Sequence, residues 1–233
     1  MIAEHVFNTR WWDDAVGVVT NPEFFTLAPA DRSELLKPYA WVELSLGLSE
    51  SLPHARAIFE TGFIQVDTQV MFRINIRKIP DSKSLAGLQA QFADEDPFSM
   101  ESGMVADFTS ERFLQIPGAT QERVNQRFAL WSMDLITASP DYCVQVLHDD
   151  QVQGWFLSQP DKGVNLALAM LSSKATVSGM YVYRKALRAY AERGHTLGWA
   201  SFSISNTPVH NIYSNLGVHF VAPRGNWLWF ASD

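Results

Sequence analysis

The stretch that most restricts the fold is "GVNLALAMLSSKATVSGMYVYRKALRAYAERG", residues 163–194. Its first part is a near-continuous apolar run, far too short to span a bilayer, and it reads as a strand buried on both faces. A polar turn follows, "SSKATVSG". After it, Met180, Tyr183, Leu187 and Tyr190 fall on one stripe of a helix that Gly194 stops. A buried strand feeding an amphipathic helix through a short turn needs a sheet with helices packed on it, which is an α/β architecture.

The flanking segments extend the same pattern. "YCVQVLH" and "VQGWFLS" alternate as two short strands, and Asp149-Asp150 between them signals a hairpin. "HTLGWASFSIS" reads as a strand. "SNTPVHNIYSNLG" (205–217) reads as a strand end and a helix, with Thr207 as N-cap and Pro208 at the first helical position. "VHFVAPRGNWLWFAS" reads as a strand, a turn and a final strand. The order β-β-β-α-β-α-β-β from Asp141 onward predicts a mixed sheet.

Upstream, "AWVELSLGL" (Ala40–Leu48) reads as a strand and "LPHARAIFETG" (Leu52–Gly62) as a short helix. "FIQVDTQVMFRINI" (Phe63–Ile76) is a long strand or a hairpin. A polar region follows, with a short helix expected around Ser84–Phe92, and "QERVNQRFALWSMDLITAS" then places Val124, Phe128, Trp131 and Leu135 at helical spacing. The composition shift near residue 80 divides the chain into 1–80 and 81–233. "AIFETGFIQV" echoes "IYSNLGVHFV", and aligning Gly62 with Gly217 sets Ile58 opposite Tyr213.

Several function classes are excluded by composition. The formal net charge of −7 disfavours a general nucleic-acid or anionic-membrane binder, because phosphate attraction needs a basic face. The single cysteine, Cys143, removes intramolecular disulfides and cysteine-rich metal sites and fits a reducing compartment. The start, "MIAEHVFNTRWWDD", carries no secretory pattern, and a cytoplasmic protein is expected. The histidines lack metal-ligand spacing, so no metal is expected. No nucleophile elbow, Walker loop or dinucleotide fingerprint is present.

Two places can carry chemistry. The turn "KATVSG", Lys174–Gly179, opens a helix, so its free N–H groups and the helix dipole favour an anion. Ser178 and Gly179 let the backbone approach a phosphate, and Lys174 adds charge at the mouth. The plain alternative is a strand-to-helix connection. Tyr213 lies on the flank of the stripe formed by Val209, Ile212 and Leu216. It is either core or a phenol that gives a proton to a departing thiolate or alkoxide. Asn206, at the preceding strand end, is either a turn or cap residue or a hydrogen-bonding partner for an amide-containing ligand.

Taken together, these residues resemble the GNAT superfamily of acyl-CoA-dependent N-acyltransferases. The turn Lys174–Gly179 is similar to that family's Q/R-x-x-G-x-G/A pyrophosphate loop, with Lys174 in place of Gln or Arg and Val177 in place of glycine. "NTPVHNIYSNLG" is similar to its N-x-x-A-x-x-L-Y-x-x-x-G-F signature, with Val218 in place of the phenylalanine. The first half resembles an incomplete GNAT unit. With Arg112-Phe113 and a helix containing Trp131, the chain resembles acetyltransferases of nucleotide-linked 4-amino-4,6-dideoxyhexoses, such as the dTDP-fucosamine acetyltransferases, although "LQIPG" replaces their polar residues after Arg-Phe.

The resemblance implies a GNAT fold preceded by an incomplete GNAT-like half. It implies acetyl-CoA or another acyl-CoA as cosubstrate and a small-molecule amine as acceptor, such as a nucleotide-linked amino sugar, on a monomer or homodimer. The pantetheine arm would pair with "VNLALAML". N–H groups of Val177, Ser178 and Gly179, with Lys174, would hold the pyrophosphate, and an N–H near Ala169, Met170 and Leu171 would stabilise the oxyanion. Arg112, Phe113 and Trp131 would contact the acceptor, and Tyr213 would protonate the leaving thiolate. The competing reading is a non-catalytic acyl-CoA or ligand-binding module, which Val177 favours.

Overall fold

A computed structural model describes residues 1–231 apart from 50, 51, 53, 83, 84 and 110. The strands are β1 Ile2–Glu4, β2 Val16–Val19, β3 Trp41–Gly47, β4 Ile64–Asn75, β5 Leu88–Phe92, β6 Cys143–His148, β7 Gln151–Pro160, β8 Val164–Leu171, β9 Leu197–Ser203 and β10 His219–Phe230. The helices are α1 Val6–Trp12, α2 Pro29–Leu36, α3 Ala55–Glu60, α4 Gln121–Ala138, α5 Gly179–Glu192 and α6 Thr207–Asn215.

The ten strands of the described residues join one mixed sheet in the order β1-β2-β3-β10-β4-β9-β8-β7-β6-β5, parallel at β2/β3 and β8/β9 and antiparallel elsewhere. The last strand lies among the first ones, β10 between β3 and β4, so the sheet runs without a break past residue 80. Apolar side chains cover it in layers. One lies under α5 and α6 and contains Val182, Leu187, Tyr190 and Tyr213. Another lies under α1 and α4 and contains Trp11, Phe113, Val124, Phe128 and Leu135. A third group, around Phe24, Phe63 and Trp227, closes the N-terminal end.

Most of the expected elements form where local chemistry places them. Asp149 and Asp150 both take the left-handed conformation that a tight two-residue hairpin turn requires. Thr120 caps α4 through Arg123 N–H at 3.2 Å. Phe63–Ile76 is one long strand, β4, and no hairpin. Gly62 and Gly217 both have positive φ, so the two segments that echo each other share one local form: a helix, a left-handed glycine and a long strand.

Four readings change. The helix expected around Ser84–Phe92 is the edge strand β5 over Leu88–Phe92, because β6 offers it a ladder; Ser84 lies outside the described residues. The described residues of "VHFVAPRGNWLWFAS", 218–231, hold no turn: His219–Phe230 is one strand, β10. Pro223 passes through β10 without loss because its carbonyl faces the end of β3, accepting from Leu48 N–H at 3.0 Å, so the absent N–H points where that ladder stops. Gly225 leaves room for the Trp227 indole, which would lie 2.4 Å from a Cβ there. The cap of α6 is Asn206, one residue before Thr207; its side chain accepts from Val209 N–H at 3.3 Å. Finally, β8 alternates between buried and half-buried residues along its length. Where β7 offers only Ser158, β8 offers Leu166 and Ala167, and this bulge turns the later side chains to the opposite face.

Candidate active site

β8 and β9 start as parallel neighbours, paired at Val164/Gly198 and Asn165/Trp199, and then separate. Beyond Asn165 the polar groups on that edge of β8 have no partner in β9. A cavity of about 570 Å³ fills the opening. Its walls come from the β8 bulge (Leu166–Ala169), from β9, from Asp67 and Gln69 of β4, and from residues 107–109 and 111–113 with α4.

Among the residues expected from sequence, Ala169, Arg112, Phe113, Trp131, Asn206 and Tyr213 all line this cavity. Tyr213 is both buried and accessible from it. Its ring packs on Phe72 (4.1 Å between centroids) and Phe202 (5.6 Å), and stands edge-on to Tyr183 at 5.4 Å. No described residue hydrogen-bonds its hydroxyl. Burial, reinforced by Tyr183 and Tyr190, raises its pKa, so the phenol keeps its proton as a donor. Asn206 spends its side-chain oxygen on the helix cap, and its Nδ2 has no partner among the described residues.

The remaining expected residues lie at the outer end of β8 and in the turn after it. The Met170 side chain is buried in the α4 layer, while Leu171 packs towards α5 and Gly179. The turn is held from within by Gln153, a fully buried side chain of β7. Gln153 Oε1 accepts from Thr176 N–H (2.7 Å) and Val177 N–H (3.0 Å), and Nε2 donates to Gln151 O (3.0 Å). The Val177 N–H therefore points inward, and its side chain packs on the α5 layer. The N–H groups of Ser178, Gly179 and Met180 find no acceptor among the described residues, with the exposed Lys174 nearby in sequence.

Beneath the cavity is a cluster of buried charge that sequence reading placed only at Arg112. Arg112 Nη2 donates to Glu43 Oε1 of β3 at 2.9 Å, and its Nη1 is 3.7 Å from Glu111 Oε1. Arg127 of α4 donates from Nε to Asn8 Oδ1 (3.1 Å) and stacks over Phe113 at 4.0 Å. Burial, and then the like charge of Arg112, pull Arg127 down to about 10. Burial alone would raise Glu43, but Arg112 first, then Arg127 and His5, outweigh it and hold the carboxyl below its ordinary value. Glu111 goes the other way. Burial raises it, Asp67 adds to the rise, and the two arginines offset only part.

Glu111 and Asp67 both face the cavity. Glu111 Oε1 is buried with no well-aligned hydrogen bond. Asp67 is held by Ser203 Oγ (2.6 Å) and Asn226 Nδ2 (3.4 Å). Periodicity does not reveal this pair, since Asp67 sits within a strand pattern and Glu111 in an irregular segment. The only signal in the sequence is Glu111 standing next to the Arg112-Phe113 dipeptide.

The overall architecture is that of known proteins. A GCN5-related N-acetyltransferase from Sphaerobacter thermophilus superposes with a TM-score of 0.58 at 13% identity, over 98% of this chain and 76% of that one. A tandem GNAT protein from the clavulanic acid biosynthesis pathway gives 0.54 at 9% identity, over 94% and 76%. A GCN5-related N-acetyltransferase from Kribbella flavida gives 0.51 at 15%, over 94% and 82%. No protein-family model and no curated protein matches the sequence.

Proposed function

We propose that this chain, which has the GNAT fold over nearly its whole length, is an acyl-CoA-dependent N-acyltransferase acting on a small amine. One observation carries the reading: the opening between β8 and β9 ends in a cavity that holds a protonated phenol, Tyr213, and a carboxylate of raised pKa, Glu111. Direct transfer to an amine needs those two functions. One group takes the proton of the attacking amine and another gives a proton to the departing thiolate.

The residues present suit an acyl-CoA cosubstrate. The edge of β8 that parts from β9 after Asn165 offers peptide groups to an extended, amide-bearing arm, as an added strand would. The N–H groups of Ser178, Gly179 and Met180, together with Lys174, suit its pyrophosphate. Asn206 Nδ2 offers a donor beside the arm. Coenzyme A supplies an activated thioester, and the chain orients it and handles the protons. A β8 N–H beside the bulge stabilises the oxyanion.

For the acceptor, an amino sugar or a comparable small amine fits the aromatic wall of Phe113 and Trp131 with the carboxylates of Asp67, Asp107 and Glu111. Of the two arginines lining the cavity, Arg112 is paired with Glu43, whereas Arg127 uses only Nε, on the neutral amide of Asn8. The Nη groups of Arg127 have no partner among the described residues, so the lining suits nucleotide-linked as well as free amino sugars.

Calorimetry with acetyl-CoA, followed by thiol release on adding a panel of amino sugars and diamines, tests the reading. Binding with thiol release is expected. Absence of binding at millimolar ligand would overturn the enzyme reading and support the non-catalytic module, which the inward-turned Val177 N–H favours. With an active amine in hand, Tyr213→Phe is expected to lower kcat roughly 10–1000-fold with acetyl-CoA affinity little changed. Unaltered turnover, with chemistry limiting, would remove Tyr213 from the proton-donor role.

A further inference from the structure

The edge of β8 that faces the opening is not free along its whole length. Ser172 N–H donates to Gln153 O at 2.9 Å, so Ser172 points its peptide groups at β7. Along an extended strand successive residues point to opposite edges, so Leu171 and Ser173 point theirs at the β9 side. A short segment of the chain meets them there. Ala106 N–H donates to Leu171 O at 3.1 Å, Ser173 N–H donates to Met104 O at 3.0 Å, and Val105 stands antiparallel to Ser172.

Along the chain this position lies between the two parts of the proposed cofactor site. The uncommitted N–H groups of Ser178–Met180 come just after the strand end, and the cavity begins at Ala169. A ligand anchored by phosphates at the first, with its arm laid along the β8 edge to the second, runs past Leu171–Ser173. The segment continues directly into Asp107, Phe108 and Thr109 of the cavity wall. It is held at both ends: Val105 is buried in the α4 layer, and Phe108 stacks on Phe128 at 3.7 Å.

We propose that Met104–Ala106 is a displaceable strap that keeps the cofactor edge of β8 closed until an acyl-CoA arm exchanges with it. The inference rests on the acyl-CoA reading above. The arm's amides replace the strap's peptide groups at Leu171 and Ser173 bond for bond, so the exchange leaves no β8 peptide group unsatisfied. Displacement also shifts residues 107–109, which couples cofactor entry to the shape of the acceptor cavity.

Amide hydrogen exchange of the whole chain, with and without saturating coenzyme A, tests this. The Ala106 amide is expected to be protected in the free protein and to exchange at least about tenfold faster in the complex, the scale of losing one backbone hydrogen bond. Ala106→Pro removes the donor to Leu171, and Val105 already has the extended backbone a following proline needs (φ −98, ψ 151). This variant is expected to bind coenzyme A about 2–10-fold more tightly, because one competing hydrogen bond is gone. Coenzyme A binding with Ala106 still protected would overturn the strap and leave the cofactor reading intact. Binding by Ala106→Pro alone would support the strap as an autoinhibitory contact. No binding by either protein at millimolar coenzyme A would overturn both. The exchange measurement uses the unaltered chain, so it decides the matter even if the variant does not fold.

Discussion

Glu111→Gln is expected to lower kcat by roughly 10²–10⁴-fold, the range for removing a positioned base, while the protein stays folded. The substitution keeps the shape and removes only the ability to accept a proton. In the unaltered enzyme, activity should fall as pH drops and Glu111 becomes protonated. Burial, with Asp67 adding to it, places that fall above the ordinary carboxylate range. The same limb should be missing from the variant. The measurement is kcat against pH with saturating acetyl-CoA and the best amine of the panel. An identical acid limb in Glu111→Gln, at an undiminished rate, would assign the base elsewhere, with Asp67 the next candidate.

Stability gives an independent check on the same variant. A carboxyl whose folded-state pKa is raised contributes stability that is fully present below its unfolded pKa and is lost as pH rises through the folded value. Glutamine imitates the protonated form. Glu111→Gln should therefore be at least as resistant to denaturant as the native chain at pH 7, with the difference vanishing towards pH 4. Loss of rate without loss of stability separates a catalytic carboxylate from a structural one. A variant that is inactive because it is destabilised would show the opposite sign.

What was legible in the sequence follows from where each signal comes from. The β8–turn–α5 unit and the α6–glycine–β10 unit are local: apolar period, cap and left-handed glycine all lie within a few residues, and Tyr213 stands in the cavity. Even there the cap shifted by one residue to Asn206, because Asn and Thr are adjacent and both able to cap. The errors concern partners distant in the chain. β5 is a strand because β6 pairs with it more than fifty residues later, and β10 runs through Pro223 because β3 ends beside it. No local pattern states either fact. The inward turn of Val177 depends on Gln153, a polar residue at an ordinary strand position. The carboxylates of the cavity, Asp67 of β4 with Asp107 and Glu111, are likewise far apart in sequence and meet only in the folded chain.

Arg112 is the residue whose meaning changes most, and Arg112→Met is expected to destabilise the protein by about 3–5 kcal/mol, the usual cost of breaking a buried ion pair from one side. Sequence reading gave it to the acceptor. The structure has one nitrogen on Glu43 at 2.9 Å, another facing Glu111 at 3.7 Å, and the guanidinium over the Phe113 ring at 4.5 Å. Removing it strands Glu43, whose depressed pKa depends on Arg112 more than on any other charge. The sign of the pH effect follows. Glu43 now contributes stability that is present above its unfolded pKa and lost as pH falls through its folded value; in Arg112→Met that contribution disappears, so the variant's deficit is largest at neutral pH and shrinks in acid. Glu43→Gln combined with Arg112→Met removes both charges and should recover most of the loss, giving a large coupling energy in a double-mutant cycle. Denaturant titrations of the four proteins at pH 7 and pH 4 measure all of this. A deficit under about 1 kcal/mol, accompanied by a raised KM for the amine, would return Arg112 to the acceptor, since an exposed or loosely held pair is worth no more than that.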